Sequence, residues 1–135
     1  HFVTAACFRL RTADRTLTVA SAGQNPLVLV HDGAVSELVT HGRVLGLFSD
    51  SRYETTTWTL ASGDRIVAYT DGISECVGEN NDDELYGEDR LYAFLAAHHR
   101  QTAEDVLAGL IGELERYARG RPYEDDITAV VMDLI

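Results

Sequence analysis

The sequence has little of what marks a nucleic-acid-binding or membrane protein. Its 135 residues include no lysine, and 11 arginines face 22 acidic residues, which gives a formal net charge of −11. This excess of negative charge disfavours nucleic acids and anionic membranes as partners, because both attract basic surfaces. No apolar run approaches the ~20 residues that cross a bilayer. No basic segment precedes an apolar stretch, as a signal peptide would require. We therefore expect a cytoplasmic protein.

Cysteine and proline are also scarce, with two of each. Cys7 and Cys76 form no C-x-x-C pair, which fits a reducing compartment, and neither is predicted to be a ligand or a nucleophile. Apolar residues make up 45% of the chain and charged residues 24%, a globular composition. A chain of this length buries a core without disulfides or metals. Since no methionine begins it, we expect it to be a piece of a longer protein.

Alternating or β-branched segments in the first half of the chain predict six strands, and a seventh such segment ends it. Turn signals separate them, and Asp32-Gly33 between two apolar runs predicts a hairpin. The predicted strands are Phe2–Leu10, Arg15–Ser21, Leu27–His31, Ala34–Val39, Tyr53–Leu60, Arg65–Thr70 and Asp126–Leu134.

Two segments before the last strand have helical periodicity, one over Leu91–His98 and one over Val106–Tyr117. Thr102 with Asp105 resembles a capping box, and Gly120 followed by Pro122 is a stop signal. Strands followed by helices indicate an α+β fold with antiparallel sheets rather than βαβ units.

Two acidic segments are the candidate sites. Asp71 follows a buried strand and precedes Gly72, so a carboxylate on a rigid element lies where an ion or another backbone can approach. Glu124, Asp125 and Asp126 open the last strand, and their mutual repulsion favours a cation or solvent nearby. Each segment alone is also typical of solvated acids at a strand end.

Other acids and histidines carry weaker signals. The segment Gly78–Glu84 has no apolar periodicity and predicts a mobile surface loop beside the site, suited to contacting a protein substrate. The wider acidic stretch Asp71–Asp89 is typical of a solvated loop and lacks EF-hand spacing. His98 and His99 are adjacent on a helix, so they do not share a face as a metal pair would. His31 and His41 stand alone beside turns.

Seven short motifs occur in an order that resembles one known family. They are Phe2-Val3-Thr4; Ala20-Ser21-Ala22-Gly23-Gln24-Asn25-Pro26; Leu45-Gly46-Leu47; Gly63-Asp64-Arg65; Tyr69-Thr70-Asp71-Gly72-Ile73-Ser74-Glu75; Tyr86-Gly87-Glu88-Asp89-Arg90-Leu91; and Asp125-Asp126-Ile127-Thr128. The chain resembles the bacterial stage II sporulation protein E (SpoIIE)-like branch of the PPM metal-dependent protein serine/threonine phosphatases.

The resemblance implies a PPM-type antiparallel β-sandwich flanked by helices. Residues 1–135 would be the C-terminal part of one phosphatase domain, about two-thirds of it, with the N-terminal part of the fold missing. Asp71 and Asp125 match metal ligands, and Gly72 and Asp126 are supporting positions. The implied cofactors are two divalent cations, Mn²⁺ or Mg²⁺, which hard oxygen donors suit. A metal-activated water would then hydrolyse phosphoserine or phosphothreonine.

This chain departs from the family pattern in two ways. Gln24 stands where the family often has His. The chain also has no counterpart of the Gly-Asp-x-x-Gly-x-Gly segment that supplies the Asp bridging both metals. Two carboxylates are too few for a two-metal site. We therefore expect these 135 residues alone to be catalytically incomplete, with an exposed edge or apolar face at the strand that begins at Phe2.

Two functions remain open. The first is a phosphatase whose substrate is a phosphorylated protein, such as an anti-sigma-factor antagonist. In the full-length protein, a sensor domain would precede this phosphatase domain. The second is a phosphatase-like regulatory or protein-binding module without metals. Self-association, for example as a homodimer, is compatible with both.

Overall fold

Two antiparallel sheets, a two-stranded β-hairpin and three helices pack around two apolar cores in the computed structural model. The structure describes residues 1–79 and 84–135 in full and residues 81–83 by their backbone alone. The strands are β1 (Ala5–Arg11), β2 (Thr16–Ala22), β3 (Leu27–His31), β4 (Ala34–Leu38), β5 (Thr56–Thr59), β6 (Arg65–Tyr69), β7 (Val77–Gly78), β8 (Asn81–Leu85) and β9 (Ala129–Asp133). The helices are α1 (Asp71–Ser74), α2 (Gly87–Ala97) and α3 (Ala103–Ala118).

The strands form a three-stranded sheet in the order β1-β2-β5 and a four-stranded sheet in the order β4-β3-β6-β9. Every pairing between strands of these two sheets is antiparallel. The Asp32-Gly33 turn joins β3 to β4 as the sequence predicts, and both residues have positive φ. The predicted α+β class with antiparallel sheets is therefore confirmed.

The four-stranded sheet is the middle layer, since both of its faces are covered. Leu27 and Ile66 point toward the three-stranded sheet, where they pack with Leu17 and Val19. Neighbouring side chains in the same strands, such as Val28 and Val67, point to the opposite face of the sheet and pack against the helices. This arrangement explains why β6 is almost entirely buried along its length.

Helix α3 begins and ends where the sequence predicts. The Thr102 hydroxyl accepts a hydrogen bond of 3.1 Å from the Asp105 backbone N–H. At the other end Arg119 adopts a left-handed conformation and Gly120 has a φ of +86°. Its apolar stripe packs on the middle sheet through the buried side chains of Val106, Leu110 and Leu114.

Several predictions about elements were wrong, since β1, β5 and β9 all begin after their predicted starts. Val3 lies outside β1 and forms an isolated bridge with Leu45. The short helix α1, which the sequence pattern does not predict, follows β6 after Thr70. Most of Gly78–Glu84 is a hairpin rather than a loop, because β7 pairs with β8. Residue 80 lies outside the described residues, and the predicted mobility of this segment stays a prediction.

The helices in the described part of the chain are all too short or too polar to cross a bilayer.

Candidate metal centre

Asp71 lies at one end of the middle sheet, just after strand β6. The strand ends at Tyr69, Thr70 occupies the N-cap position of α1, and Asp71 is the first residue of that helix. The Gln24 side chain donates a 3.1 Å hydrogen bond to the Tyr69 carbonyl. The turn before β3 is therefore tied to the point where β6 gives way to α1. Asp71 itself is exposed.

Thr70 joins this segment to the residues that lead into β9. Its backbone N–H donates to the Thr128 carbonyl at 3.0 Å, and its hydroxyl accepts from the Thr128 N–H at 3.1 Å. The same hydroxyl donates to the Asp126 carbonyl at 3.1 Å. These bonds continue the pairing of β6 with β9 and fix the acidic segment beside the start of α1.

Gly72 permits the closest approach between the two segments. A Cβ built at this position would lie 2.4 Å from the Asp126 carbonyl oxygen and 3.4 Å from that of Asp125. No side chain larger than hydrogen fits at that distance. The glycine therefore allows the backbone of α1 to lie directly against the Asp125–Asp126 peptide.

The two acidic motifs, 54 residues apart, thus adjoin at one end of the sandwich. Asp125 is exposed, and its Oδ1 atom accepts a 2.7 Å hydrogen bond from the Asp126 N–H. The assignment of Asp71 and Asp125 as metal ligands, with Gly72 and Asp126 in support, stays a prediction. Among the described residues no group of three or more His, Cys, Asp or Glu side chains is gathered as a metal site.

A cavity of about 150 Å³ lies beside these residues. Its walls come from α1, the β7–β8 hairpin and the segment before β9, and Glu75, Glu124 and Asp125 make it acidic. Cys76 is buried in the same wall, and burial raises the pKa of its thiol. A protonated thiol is a poor nucleophile and a poor ligand for hard cations, so oxygen atoms dominate the chemistry here.

Two arginines pair with acidic side chains of the β7–β8 hairpin. Arg119 lies 2.9 Å from the Glu79 carboxylate, and Arg90 lies 2.7 Å from that of Glu84. The Tyr117 hydroxyl also donates to the Glu84 carbonyl at 3.0 Å. These partners lie in α2 and at the end of α3, so only the fold brings them to a segment that has no basic residue of its own.

Sequence reasoning missed a pair at the opposite end of the sheet. His31, which stands alone in the sequence, lies 2.6 Å from the Asp64 carboxylate. This carboxylate also accepts a 2.7 Å hydrogen bond from the Ala61 N–H. The hydrogen bond and charge of Asp64 raise the pKa of His31. No local pattern signals the pair, because its members lie 33 residues apart on β3 and before β6.

Two adjacent histidines bind backbone carbonyls at the end of α2. The Nδ1 atom of His98 lies 2.7 Å from the Phe94 carbonyl, and that of His99 lies 2.7 Å from the Ala96 carbonyl. A carbonyl can only accept, so Nδ1 is the donor in both contacts. Both side chains therefore satisfy carbonyl groups of the last turn of α2.

Several known proteins are similar to this chain in sequence or in fold. Phosphoserine phosphatase RsbU of Bacillus subtilis (strain 168) is 28% identical over 117 residues, which are 85% of this chain and 34% of that protein. The SiaA-PP2C domain of Pseudomonas aeruginosa is 26% identical with a TM-score of 0.88, over 99% of this chain and 52% of that one.

The phosphatase domain of the cell fate determinant SpoIIE from Bacillus subtilis, in a Mn-presoaked structure, has a TM-score of 0.73 and 20% identity. The match covers 97% of this chain and 56% of that one. At this identity the likeness concerns the fold, and it confirms the PPM-type sandwich that the sequence predicts. The chain thus spans about half the length of these solved structures and about a third of RsbU.

The profile of the family described as Stage II sporulation protein E (SpoIIE) matches residues 1–135, the whole chain. The chain therefore belongs to the SpoIIE family.

Proposed function

We propose that residues 1–135 are the C-terminal part of a metal-dependent protein serine/threonine phosphatase domain. The observation that carries the proposal is the contact between the Asp71 and Asp125 segments, which Thr70 and Gly72 hold together. Similarity to a phosphoserine phosphatase supports the reaction class.

The donor set of this centre fits hard divalent cations. Asp71, Asp125 and Asp126 offer exposed carboxylates. Such oxygen donors suit Mn²⁺ or Mg²⁺. When bound, two such cations lower the pKa of a water molecule, which supplies the nucleophile for in-line attack on phosphorus.

The residues of this chain orient the centre. Thr70 keeps the Asp125–Thr128 segment at the end of β6, and Gly72 lets the two backbones touch. Glu75 and Glu124 in the cavity wall add negative charge, which favours a cation over a bare phosphate group.

The proposed substrate is a phosphorylated protein, and the family resemblance favours an anti-sigma-factor antagonist. The whole protein would act in the cytoplasm and would carry a sensor domain upstream of the phosphatase domain. The β7–β8 hairpin borders the cavity, so we propose that it contacts this substrate.

The test is phosphatase activity with Mn²⁺ in the longest natural version of the protein. Asp71→Asn and Asp125→Asn should each lower turnover of a phosphoserine peptide by at least about a hundredfold, with little change in thermal stability. Glu104→Gln is a matched control, because it also removes an exposed carboxylate, in the first turn of α3 and outside the candidate metal centre. Its activity should equal that of the wild type.

Full activity in either aspartate variant would contradict the ligand assignment. If the wild-type protein shows no turnover with Mn²⁺ or Mg²⁺, the regulatory or protein-binding module becomes the better description.

A further inference from the structure

A buried arginine without a full set of partners lies at the end of the middle sheet opposite the candidate metal centre. The side chain of Arg65 is 6% exposed. Its Nε and Nη2 atoms donate to the Asp133 carboxylate at 2.6 and 2.9 Å, and Nη2 also donates to the Gln101 carbonyl at 2.6 Å. The remaining nitrogen, Nη1, is buried and has no hydrogen-bond partner in the described part of the chain.

An unpaired donor of this kind is unusual. Nearly all buried polar atoms in folded proteins have a partner, and a buried N–H donor without one is unfavourable. Arg65 begins β6, and the strand of five residues places it about 13 Å from Tyr69 at the other end. The unpaired donor is therefore separate from the Asp71–Asp125 centre.

A niche of about 160 Å³ lies beside Arg65. It is formed where the β3–β4 turn, the β5–β6 turn and the segment between α2 and α3 meet. Its lining residues are Val30, Asp32, Gly63, Arg65, His99 and Arg100. The volume holds one small ion and is too small for a nucleotide.

The polar groups of the niche combine several donors with one acidic acceptor. Arg65 and Arg100 carry guanidinium groups, which bind oxyanions through charge-assisted hydrogen bonds. The His99 ring lies against Gly33, where a Cβ would come within 3.2 Å of it, and its Nδ1 is held by the Ala96 carbonyl. Its Nε2 atom is thus available to a ligand. Asp32 supplies the acceptor.

We propose that this niche binds inorganic hydrogen phosphate. The ion offers unprotonated oxygens to the two arginines and one P–O–H group, which can donate to the Asp32 carboxylate. Sulfate has no such proton at neutral pH, and Asp32 would repel it. The combination of arginines with a single carboxylate therefore selects a protonated oxyanion over a fully ionised one.

The test is isothermal titration calorimetry with inorganic phosphate and, separately, with sulfate, on the protein that carries this chain. EDTA in the buffer removes binding through divalent cations at the other centre. We expect saturable phosphate binding and sulfate affinity at least about tenfold weaker. Arg65 is unsuitable for substitution, since its pair with Asp133 is part of the fold.

Arg100→Gln should weaken phosphate binding by about tenfold or more, which corresponds to the loss of one charge-assisted hydrogen bond. Asp32→Asn should weaken phosphate binding and remove the preference over sulfate. Asparagine tolerates the positive φ of position 32, so this variant keeps the turn. Arg116→Gln is the matched control, because Arg116 is exposed on α3 and pairs with Glu113.

Thermal unfolding of each variant confirms that it is folded. The absence of saturable phosphate binding, equal affinity for sulfate, or unchanged binding in Arg100→Gln would each overturn the proposal.

Discussion

At the scale of single residues, the His31–Asp64 pair gives the chain a pH-dependent contribution to stability. Asp64 holds the pKa of His31 above its ordinary value of 6.5. A histidine whose pKa is raised by folding stabilises the native state fully below the pKa of the unfolded chain. That contribution is lost as the pH rises through the pKa of the folded chain.

We therefore expect His31→Gln to be destabilised relative to the wild type at pH 5.5, with a smaller difference at pH 8.5. Urea unfolding at the two pH values measures it. His41→Gln is the control, since His41 is an exposed histidine in the segment between β4 and β5. A difference between wild type and His31→Gln that does not change with pH would show that the charge of His31 contributes nothing.

At the scale of elements, the contact of α1 with the segment before β9 depends on Gly72. We expect Gly72→Ala to destabilise the protein by about 1–3 kcal/mol, because the new methyl group must displace the Asp126 carbonyl. The same displacement should weaken Mn²⁺ binding, if the adjoining aspartates bind the metal. Chemical unfolding and Mn²⁺ titration measure the two effects.

Gly112→Ala is the matched control for this prediction. Gly112 lies inside α3, and a Cβ there meets nothing within 4 Å. Alanine at a helix interior is favoured over glycine, so this variant should be more stable by about 0.5–1 kcal/mol. If Gly72→Ala and the wild type are equally stable, α1 and the segment before β9 can separate without a loss of folding free energy, which would contradict the prediction.

At the scale of the whole molecule, the two sheets are open along one side. In the described residues β1 and β9 are edge strands of their sheets, and a cavity of about 180 Å³ lies between the sheets there. Phe8 is 36% exposed and Val130 is 46% exposed. Free edges and apolar side chains of this kind promote association with other strands.

We accordingly expect the 135 residues alone to bind Mn²⁺ weakly and to self-associate. Size-exclusion chromatography measures the self-association. They should hydrolyse a phosphoserine peptide no faster than their own Asp71→Asn variant. A version extended upstream should show turnover that depends on Asp71. Robust, Asp71-dependent turnover by the 135 residues would contradict the expectation of incompleteness.

Features that depend on local interactions could be predicted from the sequence. The Asp32-Gly33 turn, the Thr102 cap and the alternating strands follow from backbone conformation and from the period of the apolar residues. The order of the short motifs was enough to identify the family, since it needs no knowledge of contacts.

Contacts between groups that are distant in the chain depend on the tertiary fold. The Thr70 bonds to Asp126 and Thr128, the pairing of His31 with Asp64, and the arginines beside the β7–β8 hairpin all join residues that are far apart in the chain. The hairpin itself was missed because its residues have low strand propensity, and its pairing and helix contacts override that preference. Such contacts depend on how strands order within a sheet, which no short stretch of sequence encodes.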